Sequence, residues 1–240
     1  MRKNVLENLM MNMFFKKKET KRTMETRSFE ELAALAMAGR HYMDLDRLRT
    51  LHNAVLYAER LGIVGDIVEC GVAAGCSAVV LLDAVRTRRK LWLYDTWAGM
   101  PPVGKNDDPH AAELLPLIHG ELNEVKELIS KAQLPADDVI FKQGIFAKTF
   151  QDSLAEKIAV LHIDSDWYDS VKQTLTTFYD RVVPGGVIII DDYGYFDGVV
   201  KALCDFCCEN QHYPLLTTTG RWQCVIVKDK LNNRDWFWEK

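Results

Sequence analysis

Short apolar runs alternate with helix-like segments from residue 66 onward, and most of the runs end at a glycine or an acid. The strand candidates are 66–70, 90–94, 139–142, 159–163 and 187–190, and the helix candidates between and after them are 76–85, 122–132, 170–179 and 199–209. This alternation is typical of a parallel sheet with helices on both faces. Two last runs, 213–216 and 223–227, have no helix between them and a turn signal at Gly220, so they predict an antiparallel hairpin. The sequence therefore predicts an α/β, Rossmann-like, seven-stranded and mostly parallel sheet that ends in a hairpin.

Two predicted helices, 28–39 and 44–61, form an N-terminal appendage to the sheet. The second has apolar residues at helical spacing, among them Leu48, Leu51 and Val55. Residues 1–27 carry eight Lys or Arg and three Asp or Glu, a net of +5; the whole chain carries −4, so the remainder carries −9. We expect residues 1–27 to be a basic, weakly ordered tail or a lid, and residues 62–240 to form the main domain.

Composition narrows the functional classes. The net charge of −4 argues against a nucleic-acid partner that is held by overall positive charge. The six cysteines, in a chain with 48% apolar residues, are interpreted as reduced thiols of a cytoplasmic protein. No apolar run has the length of a secretory signal or a membrane span, so no membrane partner is expected.

A glycine-rich turn follows the first strand candidate. Glu69, Cys70, Gly71 and Gly75 give the pattern E-x-G-x-x-x-G, and Ser77 lies in the first turn of the next helix. Glycine permits a close backbone approach to a ligand, and the helix N-terminus presents free N–H groups to a carboxylate. With Glu69 facing an ammonium, the motif suits S-adenosylmethionine, although an ordinary strand-to-helix turn is as good an explanation of this motif alone.

Asp95 ends the second strand candidate, 26 residues after Glu69. An acid at this position can accept hydrogen bonds from both hydroxyls of a ribose. A helix or turn cap is the other explanation, and the preceding glycine motif favours the ribose.

Four acids fall at the ends of two neighbouring apolar strand candidates. Asp164 and Asp166 follow the fourth strand, and Asp191 and Asp192 follow the fifth. Clustered carboxylates cannot all stay ionised without a cation, and carboxylate oxygens suit Mg²⁺. We expect Asp164, Asp191 and Asp192 to hold this metal, whereas Asp166 and Asp169 are candidates to cap the following helix. The alternative is that each acid is only a cap or a turn residue.

Several motifs in one order resemble the macrocin O-methyltransferases of the TylF type, which methylate sugar hydroxyls in antibiotic biosynthesis. They are Met43-Asp44-x-x-Arg47-Leu48, Gly65 to Val72, Asp95-Thr96-Trp97-x-Gly99-Met100-Pro101, Gly144-Ile145-Phe146, Ile163-Asp164-x-Asp166-x-Tyr168-x-Ser170 and Pro184-Gly185-Gly186 to Tyr193. Two positions depart from the family pattern. Ser165 stands where the family usually has glycine, and Trp222 to Val225 replaces its aromatic-rich C-terminal segment.

The resemblance implies a class I methyltransferase fold, S-adenosylmethionine and Mg²⁺ as cofactors, a small-molecule acceptor and a homodimer. It also implies that Asp164 is the catalytic base as well as a ligand of the metal and a neighbour of the cofactor. Thr96, Gly144 and Ile145 join the glycine motif and Asp95 as cofactor-binding residues. In the implied mechanism, two adjacent acceptor hydroxyls bind the metal, which lowers their pKa and fixes their geometry.

Three weaker features and two other functions stay open at this stage. A catechol offers the same pair of oxygens as a sugar diol, and a non-catalytic S-adenosylmethionine-binding module is possible. Cys204, Cys207, Cys208 and His212 form a helical face that we assign to the core rather than to zinc. His110, in the long connection 97–132, is a candidate acceptor contact, although an exposed histidine is the commoner case. Trp97, Trp167 and Trp222 are candidates for the substrate pocket, with ordinary packing as the alternative.

Overall fold

The computed structural model describes residues 27–228 of the chain. The predicted tail or lid at residues 1–27 lies outside this range apart from Arg27. The sequence segment Trp236-Phe237-Trp238, a candidate to cover the core or a subunit interface, also lies outside it. A seven-stranded sheet forms the centre, with strand order β3-β2-β1-β4-β5-β7-β6. Its strands are β1 (Asp66–Cys70), β2 (Leu91–Asp95), β3 (Val139–Gln143), β4 (Ile158–Ile163), β5 (Val182–Ile190), β6 (Thr217–Thr219) and β7 (Gln223–Val227).

The first five strands are parallel, and β7 pairs antiparallel with both β5 and β6. The predicted fold is therefore confirmed. The parallel strands order their carboxyl ends along one edge, which is where a doubly wound sheet binds its ligands.

Helices cover both faces of the sheet. They are α1 (Phe29–Ala36), α2 (Leu45–Arg60), α3 (Cys76–Ala84), α4 (Leu122–Lys131), α5 (Phe146–Thr149), α6 (Tyr168–Phe178) and α7 (Asp197–Asn210), with short 3₁₀ turns at Pro109–Leu114 and Tyr179–Arg181. One apolar core contains buried residues of α1 to α4, and the other contains those of α6 and α7. None of the helices within residues 27–228 is both long and apolar enough to span a bilayer.

The two N-terminal helices begin at capping side chains. Ser28 and Glu31 form a reciprocal capping box at α1, and the Asp44 carboxylate accepts from the Arg47 backbone N–H at 2.9 Å at the start of α2. Buried apolar residues then place α2 against α3. This start fixes where the side chain of Arg47 leaves the helix.

Two strand boundaries differ from the prediction. The segment 213–216 is an irregular connection, and the strand is Thr217–Thr219 instead. Thr219 pairs with Gln223 across a short turn at Gly220. This turn fixes the register of β6 against β7, and β6 therefore lies directly before the turn. The fifth strand begins at Val182 rather than at 187, because Val182 already pairs with Ile158 of β4. Pro184 and the two glycines lie in the irregular stretch between this pair and the next one, Val187 with Val160.

Candidate functional site

A cavity of about 330 Å³ lies at the carboxyl edge of the sheet. It is bordered by the turns that follow β1 to β5, by the N-terminal part of α2 and by the connection after β2. Its lining includes Tyr42, Arg47, Gly71, Val72, Ala73, Asp95, Thr96, Met100, Pro101, Gly104, Asp107, His119, Ile145, Asp164, Ser165, Asp166, Trp167, Asp169, Gln173 and Asp192. This volume is in the range of small-molecule sites.

Gly71 turns the chain sharply where β1 ends. Its φ is +92°, and a Cβ at this position would lie 1.8 Å from the backbone oxygen of Asp164. The Asp164 N–H donates to the Cys70 carbonyl at 2.9 Å, so the ends of β1 and β4 are in direct contact. Only glycine combines this conformation with this space, and the cavity wall depends on it.

Asp95 holds the turn after β1. Its Oδ2 accepts from the backbone N–H groups of Val72 at 2.7 Å and Ala73 at 2.9 Å, and its Oδ1 accepts from Trp97 N–H at 2.7 Å. Both lone pairs of Oδ2 are therefore engaged by the loop. Oδ1 also lies 3.4 Å from Oγ1 of Thr96, so a ribose would find at most one open lone pair on Asp95, and the two hydrogen bonds to a ribose stay a prediction.

Glu69 points into the sheet. It is fully buried, and its Oε1 lies 2.9 Å from Nδ1 of His162, its register partner on β4. Four other predicted cofactor residues, Cys70, Gly75, Ser77 and Gly144, are also absent from the cavity lining, whereas Gly71, Asp95, Thr96, Ile145 and Asp164 belong to it. Oε1 of Glu69 thus has a histidine as its partner, and its contact with an ammonium stays a prediction.

His162 is a buried cationic centre that the sequence reading did not single out. Burial lowers the pKa of its imidazole, but the adjacent carboxylates of Asp191 and Glu69, together with the charge of Asp164, outweigh it and raise the pKa to about 10. The signal was present in the sequence, because a histidine interrupts the otherwise apolar run 158–163.

Three carboxylates converge in the cavity. Asp164, Asp166 and Asp192 can each offer an oxygen, and these oxygens lie within 4.8 Å of one another. Burial, followed by the charges of neighbouring aspartates, raises the pKa values of Asp164 and Asp166 well above the usual range and that of Asp192 to about 6. Such mutual repulsion is relieved by a bound cation.

Asp191 has a different environment from the one predicted. It is buried, and its Oδ1 accepts from Nε of Arg47 at 2.7 Å and lies 2.6 Å from Nη2. Its Oδ2 accepts from Gln223 Nε2 at 3.3 Å and lies 3.5 Å from Nε2 of His162. The same guanidinium is 3.4 Å from Asp192. The predicted ligand trio is therefore split: Asp191 groups with Asp164 and His162, and Asp166 joins Asp164 and Asp192.

The capping expectation for Asp166 and Asp169 is wrong. Trp167 occupies the N-cap of α6, and the Tyr168 N–H is bound instead by Asp107 from the distant connection after β2, at 2.7 Å. Asp166 lies in the cavity, where its φ of +58° directs it away from the helix start.

The weaker candidates are distributed as follows. Trp167 lines the cavity, and Trp97 and Trp222 do not. The side chain of His110 is 88% exposed and lies 3.8 Å from Glu113. The assignment of that face to the core is wrong for Cys204 and Cys208, which are exposed, whereas Cys207 is half-buried against the core and His212 stacks on Tyr179. No metal-like grouping within the described range includes a cysteine.

The doubly wound sheet, its antiparallel C-terminal hairpin and the cavity at its carboxyl edge define a Rossmann-like, class I methyltransferase fold. Solved structures share it. The O-methyltransferase NovP matches with a TM-score of 0.73 and 24% identity over 95% of this chain and 99% of that one. The calicheamicin methyltransferase CalS11 matches with a TM-score of 0.59 and 17% identity over 88% and 97% of the two chains. At these identities the likeness establishes the fold alone.

The family model of the macrocin O-methyltransferases (TylF) matches residues 2–225, so the chain belongs to that family. Two curated relatives agree. The 8-demethyl-8-(2,3-dimethoxy-alpha-L-rhamnosyl)-tetracenomycin-C 4'-O-methyltransferase of Streptomyces olivaceus is 33% identical over 173 residues, 68% of this chain and 65% of the relative. The mycinamicin III 3''-O-methyltransferase of Micromonospora griseorubida is 34% identical over 160 residues, 62% and 63% of the two. The matches thus span slightly less than two thirds of these relatives.

Proposed function

We propose that the chain transfers the methyl group of S-adenosylmethionine to a hydroxyl of a sugar, or of another vicinal diol, in a secondary metabolite, and that it requires a divalent ion such as Mg²⁺. The observation that carries this proposal is the convergence of Asp164, Asp166 and Asp192 in a cavity at the carboxyl edge of the sheet. Family membership supports the reaction type, and the Streptomyces olivaceus relative is named for O-methylation of a rhamnosyl compound.

The residues present fit a hard divalent ion. Three carboxylates face one another with raised pKa values, and the guanidinium of Arg47 lies 2.6 Å from Asp191 but 3.4 Å from Asp192, the nearest of the three. Asp164, Asp166 and Asp192 would hold the ion, as oxygen ligands that suit Mg²⁺. When bound, the ion supplies positive charge that lowers the pKa of a nearby acceptor hydroxyl and orients it.

The turn after β1 and the end of β2 suit the cofactor. Gly71 removes side-chain bulk where the chain approaches β4, and Asp95 fixes the loop, with one remaining lone pair of Oδ1 as the acceptor for a ribose hydroxyl. The O-methyltransferase from Bacillus cereus, which shares the fold with a TM-score of 0.55 and 16% identity, was solved in complex with SAH (S-adenosylhomocysteine).

The chemistry is a direct displacement. The acceptor oxygen forms a bond to the methyl carbon while the carbon–sulfur bond breaks, and sulfur keeps the electron pair. The hydroxyl proton goes to a carboxylate oxygen of Asp164, which lines the cavity within the acidic cluster. The cavity walls contribute by holding the acceptor oxygen in line with the methyl group.

Turnover with labelled S-adenosylmethionine tests the proposal. Glycosylated natural products and simple catechols are offered in parallel, with and without excess EDTA. We expect methylation of a glycoside, loss of turnover in EDTA and recovery on addition of Mg²⁺. Asp164→Asn should lower the rate by about two orders of magnitude or more, because it removes both a ligand and the base.

Two outcomes would overturn parts of this proposal. Full turnover in excess EDTA would remove the metal from the mechanism. Methylation of catechols alone would keep the reaction and change the acceptor class.

A further inference from the structure

Part of the cavity wall is a segment without regular structure. Residues 99–107, here called the wall segment, lie in the connection after β2, and Met100, Pro101, Pro102, Gly104 and Asp107 line the cavity. A wall without helix or strand hydrogen bonds needs other contacts to keep its position.

One of these contacts is made by Asp107. Its Oδ1 accepts from the backbone N–H of Tyr168 at 2.7 Å, and its Oδ2 accepts from Gly104 N–H at 3.0 Å. The first bond caps α6, whose own N-cap residue, Trp167, provides no capping side chain. A single carboxylate thus closes the turn of the wall segment and joins it to a helix 61 residues further along the chain.

The fold makes room for this carboxylate. A Cβ on Gly198, in the first turn of α7, would lie 2.0 Å from Oδ1 of Asp107. The negative charge therefore lies beside the N-terminal turns of both α6 and α7, where helix dipoles favour an anion. A second contact is made nearby, where Nε1 of Trp167 donates to the Pro101 carbonyl at 2.9 Å.

We infer that Asp107 is a positioning residue for the acceptor: it fixes the wall segment against the start of α6, directly after the acidic cluster. This inference rests on the proposed function, because it takes the cavity to be the site of methyl transfer. Asp107 acts through the wall segment and exchanges no proton with the reacting atoms. The turn after β1 and its Asp95 contacts do not depend on it.

Asp107→Ala tests the inference, with Asp108→Ala as the matched control. Asp108 is the neighbouring acid; it is exposed, and it accepts from His110 N–H instead of reaching α6. Hydrogen–deuterium exchange of the whole chain gives the first readout. Asp107→Ala should raise amide exchange in peptides covering 99–107 and at Tyr168, and Asp108→Ala should leave both unchanged. Calorimetry with S-adenosylhomocysteine should give a Kd within about twofold of the unmutated chain for both variants.

Gly198→Ala perturbs the same contact from the other side, without removing the charge. It should reproduce the faster exchange of the wall segment, and the double variant should add little to either single change. With the glycoside that gives turnover, Asp107→Ala should raise the acceptor KM about tenfold, as expected for a lost charge-assisted hydrogen bond, and change kcat far less.

The inference is overturned if exchange in 99–107 stays unchanged in Asp107→Ala, or if the loss falls on kcat with the acceptor KM intact. If the proposed function itself is wrong, the experiments give a different set of results. No acceptor would then be methylated by the unmutated chain, while the exchange effects and the S-adenosylhomocysteine affinities would still be measurable.

Discussion

At the scale of single residues, Gly71 occupies a position of the site that has no room for a side chain. Gly71→Ala should destabilise the fold by several kcal/mol, because its Cβ would overlap the Asp164 carbonyl in addition to the backbone strain. Gly99→Ala is the control, since Gly99 has a similar φ of +89° and no atom within 4 Å of the added Cβ. That variant should lose only about 1–2 kcal/mol, the cost of the left-handed backbone. Urea unfolding measures both, and equal losses would contradict the close approach of β1 and β4.

Replacement by asparagine should affect mainly Mg²⁺ activation at Asp166 and mainly the stability of the fold at Asp191. Asp166→Asn removes one of three repelling carboxylates, so stability should hold or rise while Mg²⁺ activation of turnover weakens. Asp191→Asn leaves Arg47 without its closest partner and should cost about 3 kcal/mol or more of unfolding free energy. Chemical denaturation and Mg²⁺ titration of the rate separate the two effects. The reverse pattern would return Asp191 to the ligand set and assign Asp166 a structural role.

At the scale of secondary-structure elements, His162 on β4 links this strand to Glu69 on β1 and to Asp191 directly after β5. His162→Ala should cost about 3–5 kcal/mol, because Glu69 stays buried without a partner and Asp191 loses one. The exposed His110→Ala should be nearly neutral. The folded pKa of about 10 exceeds the unfolded value of about 6.5, so the stabilisation is complete below pH 6.5 and is lost as the pH rises through 10. Nitrogen-15 shifts of a neutral ring at pH 8 would contradict this assignment.

Local signals were sufficient for most elements of the sheet. Strands β1 to β4 are apolar runs bounded by glycine or acids, so their positions followed from the sequence within a few residues. The hairpin strand β6 was misplaced, because its register depends on a short turn that the apolar pattern at 213–216 does not reveal.

The contacts that organise the site are the ones that the sequence could not provide. Arg47 reaches Asp191 across 144 residues, and Asp107 caps α6 across 61. Neither pairing has a local pattern, because each depends on how α2 and the connection after β2 pack against the sheet. The acids at the strand ends were therefore identified as a group, whereas their division between Arg47 and the cavity required the structure.

At the scale of the whole molecule, we propose a homodimer. The support is family resemblance together with the aromatic residues in helices outside the sheet and in the C-terminal segment Trp236-Phe237-Trp238 of the sequence. Light scattering should give twice the mass of 27.5 kDa across micromolar concentrations. A monomeric mass over that range would remove the proposal and would leave the site, which lies within one chain, unaffected.

Ligand binding should stabilise the entire domain, because the proposed cofactor residues Gly71, Asp95 and Ile145 lie at the ends of three different strands. At one hundred times its Kd, S-adenosylhomocysteine should add about 2.7 kcal/mol to the unfolding free energy. For a domain of this size that corresponds to a rise in Tm of about 5–10 °C. EDTA should leave the rise intact, since the hydrogen bonds that hold the turn after β1 come from Asp95 and not from the three clustered carboxylates. Asp95→Ala should lower the Tm of the free protein, because Val72, Ala73 and Trp97 lose an acceptor, and should also diminish the rise on ligand addition. Calorimetry at millimolar ligand that detects no binding would remove the cofactor from the proposed function, and a full Tm rise in Asp95→Ala would leave Asp95 as a loop anchor alone.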